Sequence, residues 1–325
     1  MKIAIIGTGV SASILAYLLH EKNHEIILFD KARGVGGRLS GKRTEFGKIE
    51  HGAQFFTVKT KEFSEFLLKN FQEDQLKSWH PKIAAYHNGL FNNLEVDYKI
   101  LKPAMNQFSK NLLSDFKVNL TTKIDGLERK SGKWNLYAEE KEFTDFDLVV
   151  STAPPLQSYD LLINKADFAP RLKNYEMLPT HAFLGVLKKY PDFEYEAVKF
   201  LDHEIFSWFA VQNSKDNDRE NYRFILHSKH EWSLHNLDVT LEGFKTIFIR
   251  DFQEFINLQE DDFKYSYLHL WRYASPLNYE LKESDILFDR KNNLVVCGDY
   301  LTGGNIEAAF LSAKNLANKL MDFYG

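Results

Sequence analysis

Four small or acidic residues near the N-terminus set the chemistry this chain can do: Gly7, Gly9, Ala12 and Asp30. A glycine at the first position permits a tight turn, and one at the second lets the backbone approach a pyrophosphate with no Cβ in the way. Ala12 is small enough for a helix to pack close to a sheet. Ser11 falls at the start of that helix, where free N–H groups and the positive end of the dipole favour phosphate. A carboxylate about twenty residues on can accept hydrogen bonds from both hydroxyls of an adenosine ribose, and it would repel a 2′-phosphate. Lys31, Arg33 and Arg38 follow the acid, and the Arg38 guanidinium can grip a pyrophosphate with two parallel bonds.

These residues act together only if the right elements carry them. Lys2-Ile3-Ala4-Ile5-Ile6 is a short apolar run with β-branched residues, the pattern of a buried parallel strand. Ile14, Leu15, Leu18 and Leu19 recur at helical spacing, and residues 25–29 form a second strand ending on Asp30. Strand, glycine turn, helix, strand and acid in this order make the dinucleotide fingerprint in the context it requires.

Asp30, the short basic linker and Gly36-Gly37-Arg38 resemble flavoproteins of the amine oxidase and renalase group. Glu50-His51-Gly52-Ala53-Gln54-Phe55-Phe56-Thr57 is similar to that group's next block, in which the Gly-Ala-Gln backbone passes close to the isoalloxazine. The apolar run 294–297, Gly298-Asp299 and the segment Tyr300 to Glu307 resemble its second flavin-binding block. That likeness implies Asp299 near the ribityl and phosphate groups, and N–H groups near Ile306 aimed at the N1–C2=O edge, where a helix N-terminus stabilises the charge of a reduced flavin. Val149-Val150-Ser151-Thr152-Ala153-Pro154, Ser207-Trp208-Phe209-Ala210 with Asn213-Ser214-Lys215, the segment His227 to Trp232 and His269-Leu270-Trp271-Arg272-Tyr273-Ala274-Ser275-Pro276 match the bacterial renalase-like branch. Tyr300, Asn305 and Ala308 depart from it, where tryptophan, arginine and glycine are common. Asn305 bears on charge recognition if it faces substrate.

The resemblance implies an α/β fold: an FAD/NAD(P)-binding Rossmann-like domain of the glutathione-reductase type, with an interleaved mixed-sheet α+β substrate domain. It implies non-covalent FAD, held by Gly7, Gly9, Ser11, Ala12, Asp30, Lys31, Gly37, Arg38, Ala53, Gln54, Phe55, Ile124, Gly298, Asp299, Asn305 and Ile306. The substrate pocket would draw on Gln54, Phe56, His181, Trp208, Trp271, Tyr273 and Asn305. Trp271 and Tyr273, two apart on a strand, share a face and form either a core stripe or a wall of the cavity. The implied reaction is oxidation of the 2- and 6-dihydro isomers of NAD(P)H with O₂ reduced to H₂O₂, which needs stacking and proximity but no acid or base from the protein. An amine oxidase and a flavin-binding protein without turnover are the alternatives. No lysine falls in a block that resembles the flavin-proximal lysine segment of amine oxidases; strand 180–185 carries His181 but no lysine.

Length and composition bound the rest. At 325 residues the chain exceeds the size of a single growing core, so two domains are expected: 1–60, 103–155 and 290–325 for the cofactor, 61–102 and 156–289 for the substrate. A net charge of −4 argues against nucleic acid as partner. The first apolar run is too short for a signal peptide or membrane anchor, and no later segment is long enough to span a bilayer. Cys297 is the lone cysteine, which excludes an intrachain disulfide and makes the cytoplasm the expected location. It reads as a small buried hydrophobe rather than a flavin tether. His227, His230 and His235 lack zinc spacing and read as surface residues, so no metal is expected. Periodicity predicts helices near 63–71, 103–113, 239–255 and 306–321, a hairpin over 83–91, and strands at 116–120, 123–128, 134–138, 146–152, 182–187, 205–211, 222–227 and 265–273. Residues 213–221 read as a polar loop.

Overall fold

The structure is a computed structural model, and it describes residues 1–20, 24–216, 218–253, 255–277 and 286–324. Because both faces of a parallel sheet are covered, its strands are continuous apolar runs. Six strands pair in the order Phe288–Asp289, Leu294–Val296, Leu148–Ser151, Lys2–Ile6, Glu25–Phe29 and Lys117–Asn119, and the inner four are the apolar runs. All neighbours are parallel except the first pair. Alternate residues of Lys2–Ile6 serve opposite cores. Ile3 and Ile5 pack with Ile14 and Leu15 of the helix Val10–His20 and with Phe310 and Leu316 of the closing helix Ile306–Tyr324. Ala4 and Ile6 pack with Trp134, Leu136 and Phe146 of a three-stranded antiparallel sheet, Gly126–Lys130, Lys133–Ala138 and Lys141–Phe146.

A seven-stranded mixed sheet faces this unit. Its order is Phe263–Pro276, Met177–Leu187, Tyr222–Ser228, Phe206–Val211, Ala197–Phe200, Ile83–His87 and Leu90–Leu94. The outer face carries Phe183, Phe206, Phe209 and Phe224, buried against Phe244, Phe248 and Phe252 of the amphipathic helix Leu241–Phe252. The inner face carries Ala182, Leu184, Trp208, Ala210 and Ile225, which join the core of the first unit. The turn of the 83–94 hairpin uses Asn88 at φ 52° and Gly89 at φ 76°, the left-handed pair that a two-residue hairpin demands.

Several predicted elements shift. The run 146–152 is two strands: Phe146 ends the antiparallel sheet and Leu148 opens a parallel strand, with Asp147 turning between them and its Oδ2 accepting the Lys2 N–H at 2.8 Å. The strand expected at 123–128 begins at Gly126, so Ile124 lies in the connecting loop. Short polar strands at Gly41–Thr44, Gly47–Glu50, Leu76–Trp79 and Tyr98–Leu101 carry no periodic signal. The helix Lys61–Asn70 sets Phe63 and Phe66 on Phe310 of the closing helix. Within 213–221, Asn213–Asp216 forms a helical turn whose Lys215 is buried. Residue 217 in that segment, and residue 254 within the helix expected at 239–255, lie outside the described residues. Among the described residues no helix is long and apolar enough to cross a membrane.

Candidate flavin and substrate site

The glycine turn has the geometry its residue types suggest. Gly7 adopts φ +113°, and a Cβ there would lie 2.2 Å from Thr152 Oγ1. Over Gly9 a Cβ would meet nothing within 4 Å, while a Cβ on Gly37 would stand 3.3 Å from the Gly9 Cα. Two backbone segments therefore converge beside open space at the N-terminus of Val10–His20, which suits a dinucleotide pyrophosphate. Ser11 and Ala12 are buried in the first turn.

Asp30 stands at the end of its strand, but its carboxylate already works for the turn. Oδ2 accepts from Thr8 N at 2.9 Å and Thr8 Oγ1 at 2.6 Å, and Oδ1 accepts from Ala32 N at 2.8 Å. Roughly one acceptor position of about four remains for a ribose. Thr122 N donates to Asp30 O, and Thr121 N donates to Ala32 O. That tie brings the 121–124 loop to the end of the strand that carries Asp30, with Ile124 buried. Lys31 is exposed and reaches Gln157 Oε1 at 3.1 Å.

Arg38, expected on the pyrophosphate, is engaged within the protein. Both its terminal nitrogens bind the Asp299 carboxylate, and Nη1 also donates to Ala274 O at 3.1 Å. Burial opposes the charge, but Asp299 outweighs it and holds the guanidinium above its ordinary value. The residue therefore joins the last flavin-like block to the end of the long strand Phe263–Pro276. Gly52 and Ala53 press on the same segment: Ala53 N donates to Arg38 O at 2.9 Å, and a Cβ on Gly52 would lie 1.9 Å from that oxygen.

The loop after Gly47–Glu50 is pinned by the substrate sheet. His51 O accepts from Trp271 Nε1 at 2.8 Å and from His227 Nε2 at 3.2 Å. Across the inner face Trp208, His227, Ala182 and His269 lie in one row. Ala182 leaves space between the two imidazoles, and the His51 ring lies tilted 4.6 Å from His269 and 5.2 Å from Trp271. Burial, reinforced by His269 and His227, drives His51 down to about 3; burial drives His227 to about 4 and lowers His269. All three imidazoles are neutral at neutral pH, and the bond to His51 O assigns the His227 proton to Nε2. His227 thus lies at the centre of the site rather than on the surface. His230 bonds to Thr180 Oγ1 at 2.7 Å, and only His235 of that trio is exposed. Among the described residues no group of three His, Cys, Asp or Glu could hold a metal ion.

Next to this cluster lies an aromatic one. Phe55 stacks on Tyr98 at 3.6 Å, and Trp208 and Trp79 stand 5.2 and 6.2 Å from Phe55. Gln54 and Glu50, both buried, meet the buried Lys215 there: Lys215 Nζ lies 2.8 Å from Gln54 Oε1, 3.4 Å from Glu50 Oε2 and 4.9 Å from the Trp79 ring. Burial presses the Lys215 ammonium down from the ordinary lysine value, and Glu50 opposes the shift.

Three residues expected at the site, His181, Phe56 and Asn305, stand elsewhere or in another role, and Cys297 is the buried residue its strand implies. His181 points to the opposite face of its sheet, 1% exposed, bonded to Ser233 and set against Trp232 and Phe244; burial lowers it to about 4. Odd residues of that strand face the outer helix, so its register decides the matter. Phe56 is core, 6.1 Å from Phe63. Asn305 is exposed and caps the closing helix, its Oδ1 accepting from Ala308 N at 2.8 Å; an amide suits that position better than an arginine would. Cys297 is buried beside Ser312 with its thiol pushed up to about 12, remote in character from a reactive tether. Tyr273 is half-buried where the register of its strand shifts between Trp271 and Ser275, Gly298 N donates to Ser312 Oγ, and Ile306 is buried where the closing helix starts. Glu307, which ends the last flavin-like block without a local signal of its role, has a buried carboxylate that accepts from Lys59 N, Thr60 N and Thr60 Oγ1.

Residues 5–69 match the family of NAD(P)-binding Rossmann-like domains. Solved structures share the whole architecture. A candidate protoporphyrinogen oxidase from Exiguobacterium sp. 255-15 superposes with a TM-score of 0.78 at 10% identity, covering 98% of each chain. Cyclohexylamine oxidase from Brevibacterium oxydans IH-35A gives 0.74 at 11% identity, over 99% of this chain and 98% of that one. A putrescine oxidase with putrescine bound gives 0.75 at 8%, over 99% of both. Identities this low establish the fold alone: a Rossmann-like dinucleotide-binding unit with a mixed-sheet substrate unit, as in the flavin amine oxidases.

Proposed function

We propose that this chain is an FAD-dependent oxidase that removes hydride from a neutral, planar dihydropyridine, the 2- or 6-dihydro isomers of NAD(P)H, and passes the electrons to O₂. A single observation carries this reading: the loop His51–Ala53 is held against an uncharged aromatic wall by two bonds to one carbonyl, from Trp271 and His227. FAD, when bound through the Gly7–Gly9 turn and the segments around Arg38 and Asp299, supplies the hydride acceptor. The protein's own work is placement. Trp271 and the neutral His51 and His269 offer an aromatic, uncharged surface for a ring, and no proton has to move for a ring hydride to leave. A charged wall would oppose the pyridinium product or demand a counter-ion; neutral imidazoles do neither.

The amine oxidase remains the second reading because the fold is shared with amine oxidases and because Phe55, Trp79, Tyr98 and Trp208 form an aromatic cluster of the kind that attracts a cation. Against it, the carboxylate at that cluster, Glu50, is already paired with Lys215. Steady-state peroxide production separates the two readings: the dihydro isomers sustain it and a panel of primary amines does not. Turnover with amines alone would replace the first reading by the second.

A further inference from the structure

We propose that Lys215 fills, from within the chain, a site built for an ammonium ion, and so denies that site to amine substrates. An ammonium in a buried site requires an anion, neutral acceptors for its remaining hydrogens and, where available, an aromatic face. All three are present. Glu50 Oε2 lies 3.4 Å from Nζ, Gln54 Oε1 lies 2.8 Å from it, and the Trp79 ring lies 4.9 Å from it. The lysine and glutamate side chains are each 4% exposed.

The shell is arranged around the cation. The Gln54 amide donates to Glu50 O and Gly52 O, which leaves its oxygen facing Lys215. Glu50 Oε1 takes the Met105 N–H, leaving Oε2 for the cation. Trp79 is fixed by its Nε1 bond to Ser214 Oγ at 3.1 Å, one residue before the lysine. A buried pair kept only for stability would be served as well by apolar residues of the same volume. Here the pair closes one side of the aromatic cluster and grips the loop that carries His51–Ala53. An amine reaching this cluster finds its carboxylate taken and its cation already supplied, whereas a neutral ring needs no counter-ion and packs on the faces of Phe55, Tyr98 and Trp208. That consequence for substrate choice rests on the oxidoreductase reading above; the capacity to bind an ammonium does not.

The test uses FAD-loaded protein and propylamine, which restores the Cγ, Cδ, Cε and Nζ atoms that Lys215→Ala removes. Propanol is the neutral control. In Lys215→Ala, propylamine is expected to raise the thermal midpoint saturably by a few degrees and to shift the flavin absorbance, with no effect from propanol. Wild type, Lys215→Met and the double variant Lys215→Ala with Glu50→Gln are expected to show neither response. Indifference of Lys215→Ala to propylamine, an equal effect of propanol, or an equal response of wild type would overturn the proposal. Should Lys215→Ala fail to fold, refolding it with propylamine decides the matter: recovery with the amine and not the alcohol supports the site, and failure with both refutes it. If no dihydropyridine reduces the flavin, the substrate reading falls while the propylamine result stands.

Discussion

Glu307→Ala should destabilise the chain more than any surface change, although the residue touches neither the glycine turn nor the aromatic clusters. Glu307 lies in the first turn of the closing helix, 2% exposed. Its carboxylate accepts from Lys59 N at 2.9 Å, Thr60 N at 2.7 Å and Thr60 Oγ1 at 2.6 Å. Those donors stand at the N-terminus of the helix Lys61–Asn70, where negative charge is favoured. Alanine would leave two part-buried backbone N–H groups without their acceptor, at about 1–3 kcal/mol each, while the Thr60 hydroxyl keeps its capping bond to Phe63 N. A total loss of about 2–6 kcal/mol follows. With an unfolding entropy near 2.1 cal/mol/K per residue, that loss lowers the thermal midpoint by roughly 3–9 °C. Glu307→Gln keeps one acceptor and turns an NH₂ toward a donor, so its loss should be intermediate. Differential scanning of FAD-loaded protein reads both. A Glu307→Ala midpoint within about 1 °C of wild type would refute the claim that this carboxylate joins the two helices.

Asp30→Ala should weaken FAD retention, and it should also loosen the apo-protein, because Asp30 holds Thr8 and Ala32 as well as any ribose; the loss is about 1.5–3 kcal/mol, read by flavin release on dilution and by apo-protein melting. Acid should destabilise the fold. His51 near 3 and His181 and His227 near 4 stay neutral when folded, whereas the unfolded imidazole takes its proton from about 6.5, so stability is intact above that pH and is lost as pH falls from it toward 4. Each of the three costs about 2 kcal/mol at pH 5, and denaturant titrations at pH 7.5 and 5.5 measure the slope. Acid precipitation should release the yellow colour into solution, since the buried Cys297 thiol cannot tether a flavin; colour kept in the pellet would contradict non-covalent binding.

Much of the scaffold was legible because it is local. The Gly7 turn, the helix after it and the acid at position 30 follow from residues within one strand–turn–helix–strand unit. The inner-face aromatics were legible in part: Trp271 follows from period-two alternation, and His269 extends the same stripe. What escaped depends on pairing between distant segments. Arg38 and Asp299 each carry a phosphate-binding signature, yet only the folded chain brings them 3.0 Å apart. Lys215 sat in a stretch of charged residues that looked like a solvated loop, and nothing nearby in sequence signals that Glu50 and Gln54 wait for it. His181 was misassigned because one residue of strand register separates the cofactor face from the helix face. The cap that the Asn305 amide oxygen places on the following helix was not read from the sequence, although an amide just before a helix suits that role.

The most direct test of the central claim is anaerobic mixing of the oxidised, FAD-loaded protein with each candidate reductant while the flavin absorbance is followed. The 2- and 6-dihydro isomers of NAD(P)H should bleach the flavin rapidly, ordinary 4-dihydro NADH poorly, and primary amines not at all. Rapid bleaching by amines with none by the dihydropyridine isomers would contradict the account.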